Sequence, residues 1–365
     1  MDSFSIMDIY IHYGRYKKLL FFLNLIVQNY IMKKLLFLMI LTILFSCDTA
    51  EDYHNQALSN CELGNYNEAI NDFNKAIDLN PNNANTFYLR GHTATLLRNY
   101  NEAIDDFNKA IELNPSEVIF YIGIGNAKFC LEDYYGSIAE YAKAIELDPV
   151  YARAYKNRGD SKAKLKDFDG AIDDFNKAIE LNSDYTNAYH SRGISKNNLN
   201  NYHEAITDFN KVVELNPNYA EAYYYRGNSK KKLGKAFFSD YNKAIELNPN
   251  YVDAYYYRGD LKDSLKDYYG AIADFSKAIE LTPDFANAYF CRGNSKAKLK
   301  DYNGAIDDFT KTIELKPDHA DAYYYRGNSK KELGKLYCND YDKSCQLGRP
   351  TSCDQYKINC RDLEL

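Results

Sequence analysis

The chain has 365 residues, 45% of them hydrophobic and 26% charged, with 36 Tyr, 19 Phe and no Trp. That composition excludes wholesale disorder, and the length calls for several domains or a repeat array rather than one core. With 45 Lys+Arg against 51 Asp+Glu the net charge is −6, which leaves no positive excess to displace counterions and excludes general binding to nucleic acid.

Residues 1–31 contain an apolar run, Leu19 to Val27, broken by Asn24. They read as an upstream extension, because Met32-Lys33-Lys34 opens a complete signal of its own; the alternative is a two-part membrane anchor. Leu35 to Phe45 is apolar apart from Thr42, and Ser46-Cys47 follows. A basic head, a short apolar segment and a small residue at its end describe a secretory signal over residues 32–46, too short to stay as a membrane span. Leu44-Phe45-Ser46-Cys47 resembles the lipobox of bacterial lipoproteins, although Phe45 stands where a small residue is usual. The resemblance implies a diacylated Cys47 as the mature N-terminus, a lipid tether to the membrane and a place in the bacterial cell envelope, on a periplasmic or outer-membrane face. A buried Cys47 after a membrane anchor is the other reading.

From residue 50 a period of 34 takes over. Gly91, Gly125, Gly159, Gly193 and Gly227 are 34 apart; a step of 32 leads to Gly259, and Gly293 and Gly327 follow at 34. Ala57 holds the same place in one earlier copy. Nine copies result: 50–83, 84–117, 118–151, 152–185, 186–219, 220–251, 252–285, 286–319 and 320–351. Each predicts two helices, the first around the glycine and the second over text such as Gly170–Leu181, whose Ala171, Ile172, Phe175, Ala178 and Ile179 share one face. Prolines 81, 115, 149, 217, 249, 283 and 317, with Pro350 near the same place, predict the ends of the second helices. One hairpin cannot bury its own apolar face, so neighbours must stack.

The pattern Tyr-x₂-Arg-Gly-x₂-Lys…Ala-x₃-Phe…Pro, as in Tyr155, Arg158, Gly159, Lys162, Ala171 and Phe175, resembles the tetratricopeptide repeat. The resemblance implies an all-α, right-handed superhelical solenoid of nine hairpins whose first helices line a concave groove for a peptide or partner helix. Residues 352–365 are expected to fold as a capping helix. Tyr or Phe replaces the usual Trp throughout, and Arg replaces Leu in seven copies. An acid precedes each second-helix aromatic, which predicts a ladder of Arg–carboxylate contacts; treated as exposed pairs, these would contribute about 0–1 kcal/mol each.

Positions three before and one after the glycine are expected to face the groove. These are Tyr224, Tyr256, Phe290 and Tyr324, and Asn126, Asp160, Asn228, Asp260, Asn294 and Asn328. Aromatic faces offer apolar area at low entropic cost, and Asn can both donate to and accept from a peptide backbone. A Tyr-rich surface left by block duplication is the competing explanation, since residues 222–235 and 322–335 differ only at Lys232/Glu332. Arg153, Lys156 and Lys164 around Asp160 form the most basic part. Copies six and nine are two residues short, so their second helices should start late.

Cys338 and Cys345, and then Cys353 and Cys360, are each seven apart with Gly348-Arg349-Pro350 between. If the terminal segment folds back, Cys345 meets Cys353 and Cys338 meets Cys360 as disulfides; a four-Cys zinc site and free thiols remain open. His12, His54, His92, His190, His203 and His319 form no paired-ligand pattern, and Gly123-Ile124-Gly125 is the repeat glycine rather than a phosphate loop. Neither catalysis, a metal, a cofactor nor a small-molecule substrate is expected. The reading is a lipid-anchored, non-enzymatic protein-interaction scaffold; the alternative is an assembly lipoprotein for outer-membrane proteins or a pilus or secretion complex.

Overall fold

The structure, a computed structural model, describes residues 48–235 and 237–360, together with 17, 20, 24, 25 and 27–35. Cys47, residues 36–46 of the expected signal, nearly all of residues 1–26 and residues 361–365 lie outside the described residues. Residues 27–35 are helical and exposed, and no described helix is long and apolar enough to cross a membrane.

Among the described residues the chain from Ala50 on is all-α, with nine hairpins of an A and a B helix followed by one terminal helix. It falls into two compact units, the first ending at Asp148 and the second beginning at Pro149. In the first unit the hairpins are Ala50–Glu62 with Tyr66–Leu79, Ala84–Leu96 with Tyr100–Leu113, and Val118–Cys130 with Tyr134–Leu147. The second unit holds the other six, from Ala152–Lys164 to Cys338–Gln346, and the terminal helix Pro350–Asn359. Within each unit every helix packs mainly on its chain neighbours, as a nearest-neighbour stack requires.

Local chemistry sets the ends of each hairpin. The Asp of the text Asp-aromatic-x-Gly caps the B helix: Asp133, Asp167, Asp267 and Asp301 accept from the amides of Gly136, Gly170, Gly270 and Gly304 at 2.9–3.1 Å, satisfying donors that a helix start leaves open. The A–B turn needs one left-handed residue. Gly64, Gly234 and Gly334 supply it in three copies, while Arg98, Glu132, Lys166, Asn200, Lys266 and Lys300 adopt φ of 62–64° in the others. The first eight B helices end at an Asn, Asp, Thr or Lys, followed by a proline in all but the fourth, where Ser183 stands. Pro350 differs from the expectation. It opens the terminal helix, because the first helical position needs no amide hydrogen, and the cap therefore starts before residue 352.

The core is the B-helix aromatic pressed on the A-helix glycine. A Cβ on Gly227 would lie 2.9 Å from the Tyr241 ring, and one on Gly159 would lie 2.7 Å from Phe175. No side chain fits there without moving the ring, so the period of 34 is at bottom a packing period. Phe73 and Phe107 in the first unit and Phe175, Phe209, Phe275 and Phe309 in the second are completely or almost completely buried, each contributing about 1.5–3 kcal/mol of transfer free energy. In the two short copies the B helices are Phe238–Leu247 and Cys338–Gln346, against 14 residues in Phe168–Leu181.

Candidate interaction face

The Arg–acid ladder is present, but it is not a surface feature. Arg90, Arg158, Arg192, Arg226, Arg258, Arg292 and Arg326 each place Nη2 2.6 Å from Oδ1 of Asp106, Asp174, Asp208, Asp240, Asp274, Asp308 and Asp340. All seven carboxylates are buried. The Lys one turn after the Arg takes the other oxygen in six of these copies, as Lys162 does on Asp174 at 2.8 Å and Lys262 on Asp274 at 2.8 Å. Lys128 does the same for Glu140 at 2.8 Å, where Ile124 replaces the Arg. Six of the guanidinium groups also reach the preceding B helix: Arg192 donates to Asn176 at 2.7 Å and Arg258 to Asn242 at 2.8 Å. The same Arg lies over the aromatic three residues earlier, 5.1 Å from the Tyr223 ring for Arg226. Two cations on one buried carboxylate answer its desolvation. The ladder thus joins helices within and between repeats, and the expectation of exposed pairs is corrected.

The positions three before the glycine are covered rather than open. Tyr224 is 7% exposed and packs with Tyr241, Ala244 and Ala254. Tyr256 lies under Phe285 at 5.0 Å, with its hydroxyl 3.7 Å from Cys291 Sγ. Phe290 packs on Phe309 and under His319, and Tyr324 lies under the Arg349 guanidinium at 4.2 Å. These four rings belong chiefly to the junctions between repeats. A 3.6-residue period cannot tell the flank of a helix from its exposed crest, which is why they read as groove residues from the sequence.

The positions one after the glycine behave differently. The Asn126, Asn228 and Asn328 carbonyl groups accept from the buried Tyr141, Tyr241 and Tyr341 hydroxyls at 2.8, 2.6 and 2.8 Å. Burial raises the Tyr241 hydroxyl well above its ordinary pKa and pushes Tyr341 up to about 12, so both stay protonated and donate. The Asn228 side chain also hydrogen-bonds the Tyr224 hydroxyl, whereas the amide nitrogen of Asn328 donates to no described acceptor. Asn294, half-buried opposite a Phe, makes no side-chain hydrogen bond among the described residues. Asp160 pairs with Lys156 at 2.5 Å, leaving Arg153 and Lys164 exposed. Asp260 pairs with Lys231 of the preceding repeat at 2.6 Å, and Lys298 reaches Asp263 at 2.5 Å. A cleft of about 230 Å³ beside Asn228 is lined by Ile194, Asn197, Asn198, Tyr225 and Lys232.

At the C-terminus Cys338 is bonded to Cys360 and Cys345 to Cys353, with Cα–Cα distances of 5.6 and 4.7 Å, so the four thiols hold no zinc. Ser344 and Ser352 share a buried hydroxyl contact of 2.7 Å between the clasped helices. The contacts of Lys162 with Asp174, Lys231 with Asp260 and Arg349 with Tyr324 escaped the sequence reading. Lys162 and its equivalents were visible as a cation four residues after the Arg at constant phase, whereas Lys231 and Arg349 act across repeats and leave no local signature.

Comparison with known proteins agrees with this architecture. Family models described as "TPR repeat" match residues 59–94, 197–234 and 264–300, and models described as "Tetratricopeptide repeat" match 84–117, 152–185, 240–273 and 286–319. No curated protein matches the chain. Among solved structures, the chain is similar to YrrB, described as a TPR protein with an unusual peptide-binding site. Identity there is 25% over 50% of this chain and 96% of that one, with a TM-score of 0.44. A tetratricopeptide repeat protein from Parabacteroides merdae gives 18% identity over 77% and 98%, with a TM-score of 0.47. The Cut9–Hcn1 tetramer of APC/C gives 16% over 75% and 54%, with a TM-score of 0.54; that last likeness supports the fold.

Proposed function

Because the chain belongs to the tetratricopeptide repeat family, we propose that it is a non-enzymatic protein-interaction scaffold that holds an extended peptide or a partner helix along its A helices. The observation that carries this reading is the register one after the glycine. There Asn294 and Asn328 keep amide donors that no described group of the fold uses, and Asn228 borders a cleft with apolar and polar walls. Backbone-directed Asn groups on a rigid face are how a surface reads an extended chain without demanding one sequence.

The proposal includes an anchor. Acylated at Cys47, the protein would sit in a bacterial cell envelope, with the first helix starting three residues after the lipid-bearing cysteine. Crosslinking on native membranes, affinity capture and mass spectrometry test the scaffold role. A partner crosslinked to wild type and lost from a chain carrying Asn228→Ala, Asn294→Ala and Asn328→Ala supports it; equal capture by both sinks it. Intact mass tests the anchor separately: a diacylated chain starting at Cys47 supports it, and an unmodified or longer chain rules it out.

A further inference from the structure

Rings in the second unit are stacked by a rule. From Gly193 to Gly327 the residue three before the glycine receives, over its face, the residue that immediately precedes the next A helix; at Gly159 that place holds Lys156, which carries no ring. Tyr219 covers His190 at 4.9 Å, Tyr251 covers Tyr224 at 4.9 Å, Phe285 covers Tyr256 at 5.0 Å and His319 covers Phe290 at 4.7 Å. At the terminal helix the Arg349 guanidinium takes that place over Tyr324 at 4.2 Å. These spacings are those of tilted aromatic pairs and cation–π contacts.

The first unit departs from the rule: at its second junction Glu117 precedes the A helix and Phe120 packs on Tyr88 at 5.4 Å instead, and at its first junction no described ring does so. The receiving residue there is His54, edge-on to Phe73 at 5.9 Å and bonded through Nδ1 to Thr86 Oγ1 at 2.9 Å. The covering position is Asn83. Its side chain accepts from the Asn85 and Thr86 amides at 3.1 and 3.3 Å, so it is held as a helix cap and does not extend over the imidazole. A cavity of about 400 Å³ opens there, bordered by Glu51, His54, Asn55, Asn80, Asn83 and Thr86. That volume lies within the range of pockets that take a side chain or a small ligand.

We propose that this cavity receives an aromatic side chain of a bound peptide, its ring taking the place over His54 that Tyr219 takes over His190. Asn80 and Asn83 border the cavity, and their amide nitrogens, which donate to no described acceptor, are suited to the carbonyl groups flanking such a ring. The inference rests on the groove reading and gives it a first anchor point and a preferred residue class.

The chain lacks Trp, so a tryptophan probe reports only itself. Three heptapeptides of Gly and Ala with a central Trp, Leu or Ala would be titrated against the full chain labelled at its histidines, following the His54 ring resonances by NMR. The Trp peptide is expected to shift His54 saturably, with a dissociation constant at least tenfold below that of the Leu peptide. Asn83→Tyr, which supplies the covering ring from within, should remove that preference, and Tyr219→Asn should create a second such response at His190. Equal affinity for all three peptides, or a Trp preference that survives in Asn83→Tyr, would overturn the proposal. Peptides that bind while His54 stays silent overturn it and leave the groove reading standing. If no peptide binds, the pocket is refuted, and the scaffold role rests on the membrane crosslinking alone.

Discussion

Two residues show how burial decides what a side chain is for. Asp274 is a carboxylate in the core that is tolerable only because Arg258 and Lys262 close on its two oxygens at 2.6 and 2.8 Å. Arg258→Ala leaves half of that charge unanswered and should cost about 1–3 kcal/mol, more than a surface pair; denaturant titration should show a lower midpoint with an unchanged slope. His190 is the opposite case. Its Nε2 is buried without a hydrogen-bond partner, and burial lowers its pKa from 6.5 to about 4, against weaker pulls upward from Glu221 and Asp160 and a further lowering by Lys156. The native state excludes a proton that the unfolded chain accepts, so the stabilisation is full above pH 6.5 and is lost as pH falls towards 4, by up to about 3 kcal/mol. His190→Phe should flatten the stability–pH curve in that window. His54 and His319, lowered for the same reason, will keep some slope.

At the scale of the element, the A–B turn is the least optimised piece. Six copies force a residue with a Cβ into the left-handed region that three copies give to Gly. Lys166→Gly should stabilise the protein by about 0.5–1 kcal/mol, because relief of the Cβ clash exceeds the added entropy of the unfolded chain; a raised thermal midpoint would show it. The terminal helix is the best secured. The Cys338–Cys360 bond closes a separation of 22 residues, and its removal in a Cys338→Ser, Cys360→Ser chain should cost about 2–4 kcal/mol. Hydrogen exchange should rise first in Pro350–Asn359 and in the face of Ala320–Glu332 that Arg349 covers.

For the whole molecule, stability is a sum of hairpins and the junctions between neighbours. Residues 149–365 form a compact unit with a clasped end, so expressed alone they should keep a helical circular-dichroism spectrum and a cooperative thermal transition. A fragment that is molten or unfolded would show that the hairpins are less self-sufficient than their contacts indicate.

The hairpins, their phase, the late B helices of copies six and nine and the cysteine pairing were legible because each is a local spacing repeated often enough to average out noise. The Arg–acid ladder was legible as pairing but not as burial. Gly227 could be recognised from its period, and the reason for it is that the Tyr241 ring occupies the space a Cβ would need. Which residues meet a ligand was another matter. Tyr224 and Asn228 are one helical turn apart on the same helix, yet one ends beneath Tyr251 and the other borders an open cleft. That outcome depends on what the next repeat lays over each side chain. The sequence by itself determined the repeat and its core, because these follow from contacts within one hairpin; only the tertiary structure decided which polar groups are left over, because a neighbour's covering residue is specified 25 to 29 residues away.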